Sequence, residues 1–223
     1  MLRQAYFTAE TIREKTGNFL SRIEETLSIR QLPFIPERSA LLILDMQKYF
    51  LDPDSHAWVP SAGAILPGLI ALRRAYSVCN LPVFLTQHVN TDQDAGMMGA
   101  WWREIITPDH PRSEIIQELL RFPGLQIIRK TRYDAFFQTP LEAMLRAAHV
   151  KQVVIGGVLT HLCCETTARS AFMRGFEVLF CADGTATYQE AFHLATLLNL
   201  AHGFASLVSI EDILMQLEGV HAA

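Results

Sequence analysis

The sequence is poor in cysteine, in long apolar runs and in excess positive charge, and each shortage closes off a class of protein. Four cysteines (79, 163, 164 and 181) are too few for a disulfide scaffold in a chain of 223 residues, so a reduced, cytoplasmic setting is expected. No apolar stretch approaches the roughly 20 residues needed to span a bilayer. The opening MLRQAYFTAETIREK lacks the apolar centre and small-residue cleavage site of a signal peptide. Nineteen Lys and Arg against 23 Asp and Glu leave a net charge of −4 with no basic cluster, which argues against nucleic acid or an anionic membrane as partner. Internal repeats and low-complexity segments are also missing. What is present, 50% apolar and 19% charged, is an ordinary globular composition, long enough for one large domain with a substantial core.

Residues 9–28, AETIREKTGNFLSRIEETLS, read as a helix in which Thr11 and Glu14 fit a capping box and Ile12, Phe19, Leu20, Ile23 and Leu27 share a face. The prolines of RQLPFIPERS end that periodicity, so residues 1–37 are expected to form a helical arm leading into a domain over 38–223. Such an arm either packs on a neighbouring subunit or covers its own domain. From residue 39 short aliphatic runs alternate with helical patterns: ALLILDM (40–46), PVFLTQHV (82–89), LQIIRK (125–130), VKQVVIGGV (150–158), FEVLFCAD (176–183) and ASLVSI (205–210). Helical patterns fall near 62–78, 113–121, 139–148, 163–174 and 187–201. Nearly continuous apolar strands separated by helices predict a parallel sheet covered on both faces, a three-layer Rossmann-like α/β fold with six strands. Sheets of this kind carry their sites at the carboxyl ends of the strands, near the point where strand order reverses.

Three polar residues fall at such ends. Asp45 follows LLIL, Lys130 leaves LQIIRK, and GGVLTHLCC delivers Cys163 and Cys164 to the start of a helix. Singly they read as a structural cap, a solvated lysine and a packed thiol. Together their chemistry is complementary. A thiol at a helix N-terminus near a cation is expected to lean toward thiolate. A carboxylate can take its proton and later return it to a leaving group, while an ammonium orients the carboxylate and offsets negative charge. Backbone N–H groups at the bend can bind an oxyanion. Other readings of the adjacent cysteines are weaker: a vicinal disulfide strains the intervening peptide, and a zinc site needs ligands beyond His161.

At these residues the chain resembles the isochorismatase-like superfamily, which includes cysteine hydrolases such as nicotinamidases and N-carbamoylsarcosine amidases. ALLILDMQKYF, KTRYDAFFQTPLEAMLRA, GVLTHLCCETTARSAF and ADGTATY match its segments in order over roughly residues 38–215. The resemblance implies a catalytic triad of Asp45, Lys130 and Cys163, with Cys164 as packing. It also implies a cis peptide between Val158 and Leu159, with the Leu159 and Cys163 N–H groups as oxyanion hole. The metal segment of metal-dependent nicotinamidases is replaced here by TQHVNTDQDAGMM, so no metal and no cofactor are expected. Isochorismatases typically carry a non-nucleophile at the Cys163 position, yet Arg132-Tyr133-x-Ala135-Phe136 and His161 look isochorismatase-like.

The stretch 90–112 is expected to cover the site, either as a lid or as a subunit contact; Met97, Met98, Trp101 and Trp102 give it apolar surface, and Gly96 and Gly99 allow movement. Gln87, His88, Trp101, Trp102, Tyr133 and His161 are the candidate substrate contacts, and Arg103 a candidate carboxylate anchor. The expected activity is metal-independent hydrolysis of a small amide or carbamoyl compound through a Cys163 thioester. Two alternatives stay open: vinyl ether hydrolysis of isochorismate by Asp45 without covalent catalysis, and a non-catalytic thiol-based binding or redox-sensing protein. A small-molecule substrate and a homo-oligomer are the expected partners.

Overall fold

The apolar runs become strands close to where the sequence places them: β1 Ser39–Leu44, β2 Val83–His88, β3 Leu125–Lys130, β4 Gln152–Val158, β5 Glu177–Ala186 and β6 Ser206–Val208. The computed structural model describes residues 3–27 and 31–221. All six strands are parallel, in the order β3-β2-β1-β4-β5-β6, so the order reverses between β1 and β4. Those two central strands are buried along their whole length, as continuous aliphatic sequence requires of a sheet covered on both faces.

The helices are α1 Ile12–Thr26, α2 Lys48–Leu51, α3 Ala62–Val78, α4 Met97–Trp101, α5 Gln117–Leu120, α6 Leu141–Ala147, α7 Glu165–Met173, α8 Glu190–Gly203 and α9 Ile210–His221. Right-handed crossovers on either side of the strand reversal send α3 and α7 to opposite faces, making three layers. α9 packs beside α3, and α8 beside α7. None of the described helices is long and apolar enough to cross a membrane.

Two local expectations are corrected. The Thr11–Glu14 capping box does not form: Thr11 already has helical dihedrals, and its Oγ1 accepts from the Thr8 N–H at 3.2 Å instead. The final run ASLVSI is strand only as far as Val208, because Ser209 and Asp212 cap α9 reciprocally. The Ser209 N–H donates to Asp212 Oδ2 (3.1 Å) and the Asp212 N–H to Ser209 Oγ (3.1 Å). The arm lies on its own domain: Phe19 and Ile23 are buried against it, and Lys15 pairs with Glu190 at 2.7 Å.

One glycine fixes the relation of the central strands. Gly157 pairs in register with Leu44 and has a φ of +115°, and a Cβ there would lie 2.1 Å from the Leu44 carbonyl oxygen. Only glycine lets the end of β4 come this close to the end of β1. The contact sets the first residue after β1, Asp45, beside the chain that leaves β4. Replacing Gly157 by Ala combines backbone overlap with a disfavoured φ and should cost at least about 2 kcal/mol. A urea unfolding midpoint within error of wild type would show that the strands can separate without loss.

Candidate active site

Asp45 is fully buried at the β1 exit with a φ of +51°, a left-handed conformation that aspartate tolerates better than most residues. Its Oδ2 lies 2.7 Å from Lys130 Nζ, and its Oδ1 accepts from Thr86 Oγ1 at 2.5 Å. The Asp45 N–H donates to the same threonine oxygen at 3.0 Å. Lys130 comes from β3, two strands away, and its stem passes beneath the end of β2. Its ammonium also donates to the Arg132 carbonyl (3.0 Å), His88 Nδ1 (3.3 Å) and Cys163 Sγ (3.4 Å). Burial alone would lower its pKa, but the Asp45 carboxylate and the Cys163 sulfur together more than offset that and hold it protonated.

His88 ends β2. Its Nε2 faces Asn90 Oδ1 at 2.9 Å, so that nitrogen carries the proton and Nδ1 accepts from Lys130. Burial and the neighbouring ammonium push its pKa down to about 4, leaving a neutral ring. Gln47 fixes this strand end, accepting from the His88 N–H (2.8 Å) and donating to the His88 carbonyl (3.1 Å).

After β4 a cis Val158–Leu159 peptide leads into a π-helical turn, Thr160–Cys164, which continues as α7. Turns of this kind gather at functional sites. Cys163 looks out of it at 6% exposure into a cavity of about 250 Å³, whereas Cys164 is wholly buried in the apolar core. The expected lean of Cys163 toward thiolate is corrected. Burial pushes its thiol pKa up, the Asp45 charge adds to the shift, and Lys130 opposes it only in part.

Leu159, Cys163 and His88 line the inner cavity, and Tyr133 and Trp102 line it further out, joined by an indole N–H donating to the phenol oxygen at 2.7 Å. Three expected substrate contacts lie elsewhere. Gln87 points to the opposite face of β2 from His88 and donates to the Ser113 carbonyl at 3.0 Å. Trp101 is 74% exposed on the outer side of α4. His161 turns toward α8, with Nδ1 2.6 Å from Thr187 Oγ1 and its ring stacked on Phe192 at 4.5 Å. Of the covering stretch, Asn90, Met98 and the run from Trp102 to Ile106 reach the cavity and Met97 does not. Thr86 and Gln47 were not anticipated. Thr86 was findable, since it lies two residues before His88 and shares its face.

Asp45, His88 and Cys163 offer ligand atoms within 4.8 Å of one another, a spacing a divalent cation could bridge. The residues do not fit that role, because Lys130 Nζ contacts all three and its charge would repel a metal ion from the same carboxylate.

A carboxylate, an ammonium and a thiol thus gather at the switch point of a doubly wound sheet beside a small, largely apolar cavity, where sheets of this class bind their ligands. An Isochorismatase domain model matches residues 39–212. Nicotinamidase 3 of Arabidopsis thaliana is 41% identical over 81% of this chain and 89% of its own. Enterobactin synthase component B of Escherichia coli (strain K12) is 32% identical over 81% of this chain, which spans 64% of that protein. A cysteine hydrolase structure from Pseudomonas syringae pv. phaseolicola 1448A superposes with a TM-score of 0.83 at 25% identity, covering 87% of this chain and 99% of that one. The chain belongs to the isochorismatase-like hydrolase family, and it is a hydrolase. That sets aside a purely non-catalytic thiol protein.

Two buried histidines and a half-buried aspartate give the fold a characteristic acid response. His88 is held near pKa 4 and His193 near 3 by burial, whereas burial raises Asp183 to about 6. Near pH 5 the unfolded chain protonates both histidines and the native chain does not, while Asp183 binds its proton only in the native state. Net uptake by these three groups on unfolding is then about one proton, so their share of the stability should fall by about 1.4 kcal/mol per pH unit as pH drops from 6 to 4.5. Asp183→Asn removes the opposing group and should steepen the slope measured in urea titrations by about a further 1.4 kcal/mol per pH unit. An unchanged slope would contradict this assignment.

Proposed function

We propose that this protein is a metal-independent cysteine amidase, hydrolysing the C–N bond of a small amide or carbamoyl compound. The observation that carries the proposal is the meeting of Cys163 Sγ, on the cavity wall, with Lys130 Nζ and the Asp45 carboxylate buried behind it. The 41% identity to a nicotinamidase supports it and puts nicotinamide first among substrates to try.

The resting thiol is neutral, so the nucleophile forms only as substrate engages. Asp45 accepts the thiol proton as Sγ bonds to the carbonyl carbon, and the oxyanion is received by the Leu159 and Cys163 N–H groups. Asp45 then gives the proton to the departing nitrogen, the C–N bond breaks, and a Cys163 thioester remains. Water attacks the thioester after losing a proton to Asp45, the C–S bond breaks, and the proton returns to sulfur. Lys130 stays an ammonium throughout, and His88 stays neutral. Tyr133 and Trp102 form the wall against the body of the substrate.

With nicotinamide, benzamide and N-carbamoyl compounds as a panel, Cys163→Ala and Asp45→Asn should each lose at least about a thousand-fold in ammonia release. Intact mass spectrometry should find an acyl adduct on Cys163 of the unmodified enzyme. Full activity in Cys163→Ala would falsify the covalent route.

The match to the Isochorismatase domain favours a second reading, vinyl ether hydrolysis with Asp45 as acid. Pyruvate release from isochorismate that survives Cys163→Ala but not Asp45→Asn would select it.

A further inference from the structure

Resting on the amidase reading, we infer that the N-terminal segment completes the substrate cavity, and that Arg3 selects substrates bearing a carboxylate at the end remote from the scissile carbonyl. Arg3 lines the same cavity as Cys163, yet it lies far upstream of the region, 39–212, that the family model covers. Its guanidinium sits over the Tyr188 ring at 5.0 Å and donates to the His56 carbonyl, and both residues line the cavity. Those contacts use one face and one edge of a group with five donors, leaving N–H bonds for a ligand.

The segment that carries Arg3 is tied down. The Gln4 N–H donates to the Tyr188 carbonyl at 2.8 Å and the Phe7 N–H to Ser61 Oγ at 3.0 Å, and the Tyr6 and Phe7 side chains are buried. Tyr6 Oη accepts from the Thr187 N–H (3.0 Å) and bonds His193 Nδ1 (3.0 Å), and that imidazole nitrogen also faces Thr160 Oγ1 (3.2 Å) in the turn that carries Cys163. Arg3 is thus attached to the site rather than trailing past it.

Charge accounting supplies the ligand class. The acidic side chain on the cavity wall, Glu104, is already engaged by His56 at 2.7 Å and lies 4.0 Å from His110. Arg103, also on the wall, enters no ion pair among the described residues. Two exposed guanidiniums and a single, already paired carboxylate therefore line the cavity. The wall between them and the thiol is largely apolar, so the matching molecule has an apolar body, an amide at one end and an anion at the other. A planar, bidentate carboxylate suits a guanidinium fork.

Matched substrates test this with the full chain: 3-carbamoylbenzoate against benzamide, and succinamate against butyramide. Wild type should prefer the acid of each pair. Arg3→Gln should lose at least about ten-fold in kcat/KM on the acids, through KM, and stay within about two-fold on the neutral amides; Arg3→Lys should recover part of the loss. Equal effects on both members of a pair, or no preference in wild type, would overturn the assignment. If no amide is hydrolysed the amidase reading falls, and calorimetry with isophthalate then judges Arg3 alone: about ten-fold weaker binding in Arg3→Gln supports the subsite, and unchanged binding refutes it.

Discussion

The buried ammonium of Lys130 is the constraint on which the site depends. A charge at 1% exposure is unfavourable unless it is paired and hydrogen-bonded, and this one touches four acceptors from four parts of the chain. Meeting them requires β3, β2 and β1 to be in register and the turn after β4 to be close by, which Gly157 permits. The pairing also sets the electrical state. One ammonium, one carboxylate, a neutral thiol and a neutral imidazole sum to zero. Moving the thiol proton to Asp45 leaves the sum at zero, so the nucleophile can be made without adding net charge to a low-dielectric interior. A free thiolate in the resting state would have left one uncompensated negative charge there, which is why burial keeps the sulfur protonated.

Much of this was legible in the sequence. Strand identity came from uninterrupted aliphatic runs, and the convergence of Asp45, Lys130 and Cys163 followed from parallel topology alone. Side-chain direction was harder. Gln87 and His88 are adjacent, so only one of them can face the cavity, and nothing in VFLTQHV says which until the register with Lys130 is known. Trp101 and Trp102 pose the same problem at the end of a short helix, and Trp101, the outer one, does not reach the cavity. His161 is a candidate only through its likeness to the family segment, and the π-helical turn in fact directs its ring toward Thr187 and Phe192. The α9 helix was hidden because Leu207 and Val208 extend a strand pattern across the Ser209 cap, whose meaning depends on Asp212.

The N-terminal arm illustrates a different limit. Its helical periodicity was readable, but whether it served this domain or a neighbour could not be decided from a hydrophobic stripe. The answer lay in residues before the helix, Tyr6 and Phe7, which form an aromatic cluster with Phe19 and His193. His193 reads in the sequence as one more residue of an apolar helix, and its role as a buried, neutral joint between Tyr6 and Thr160 needed three distant segments to be assembled.

The adjacent cysteines now separate by geometry. The Cys164 N–H donates to the Leu159 carbonyl at 3.2 Å, five residues back, and the Glu165 N–H to that of Thr160, so the turn is one residue wider than an α-helical one. That widening commits Cys164 to the core, at 0% exposure, and frees its neighbour to face the cavity beside Lys130. The two sulfurs cannot trade places without unwinding the start of α7. Cys164 therefore behaves as a small apolar side chain that fills the space behind the turn, while Thr160, held through His193, braces the same turn from the side of the arm. The position of one thiol is thus set from the sheet by a glycine, from the helix by an extra residue, and from the arm by a tyrosine.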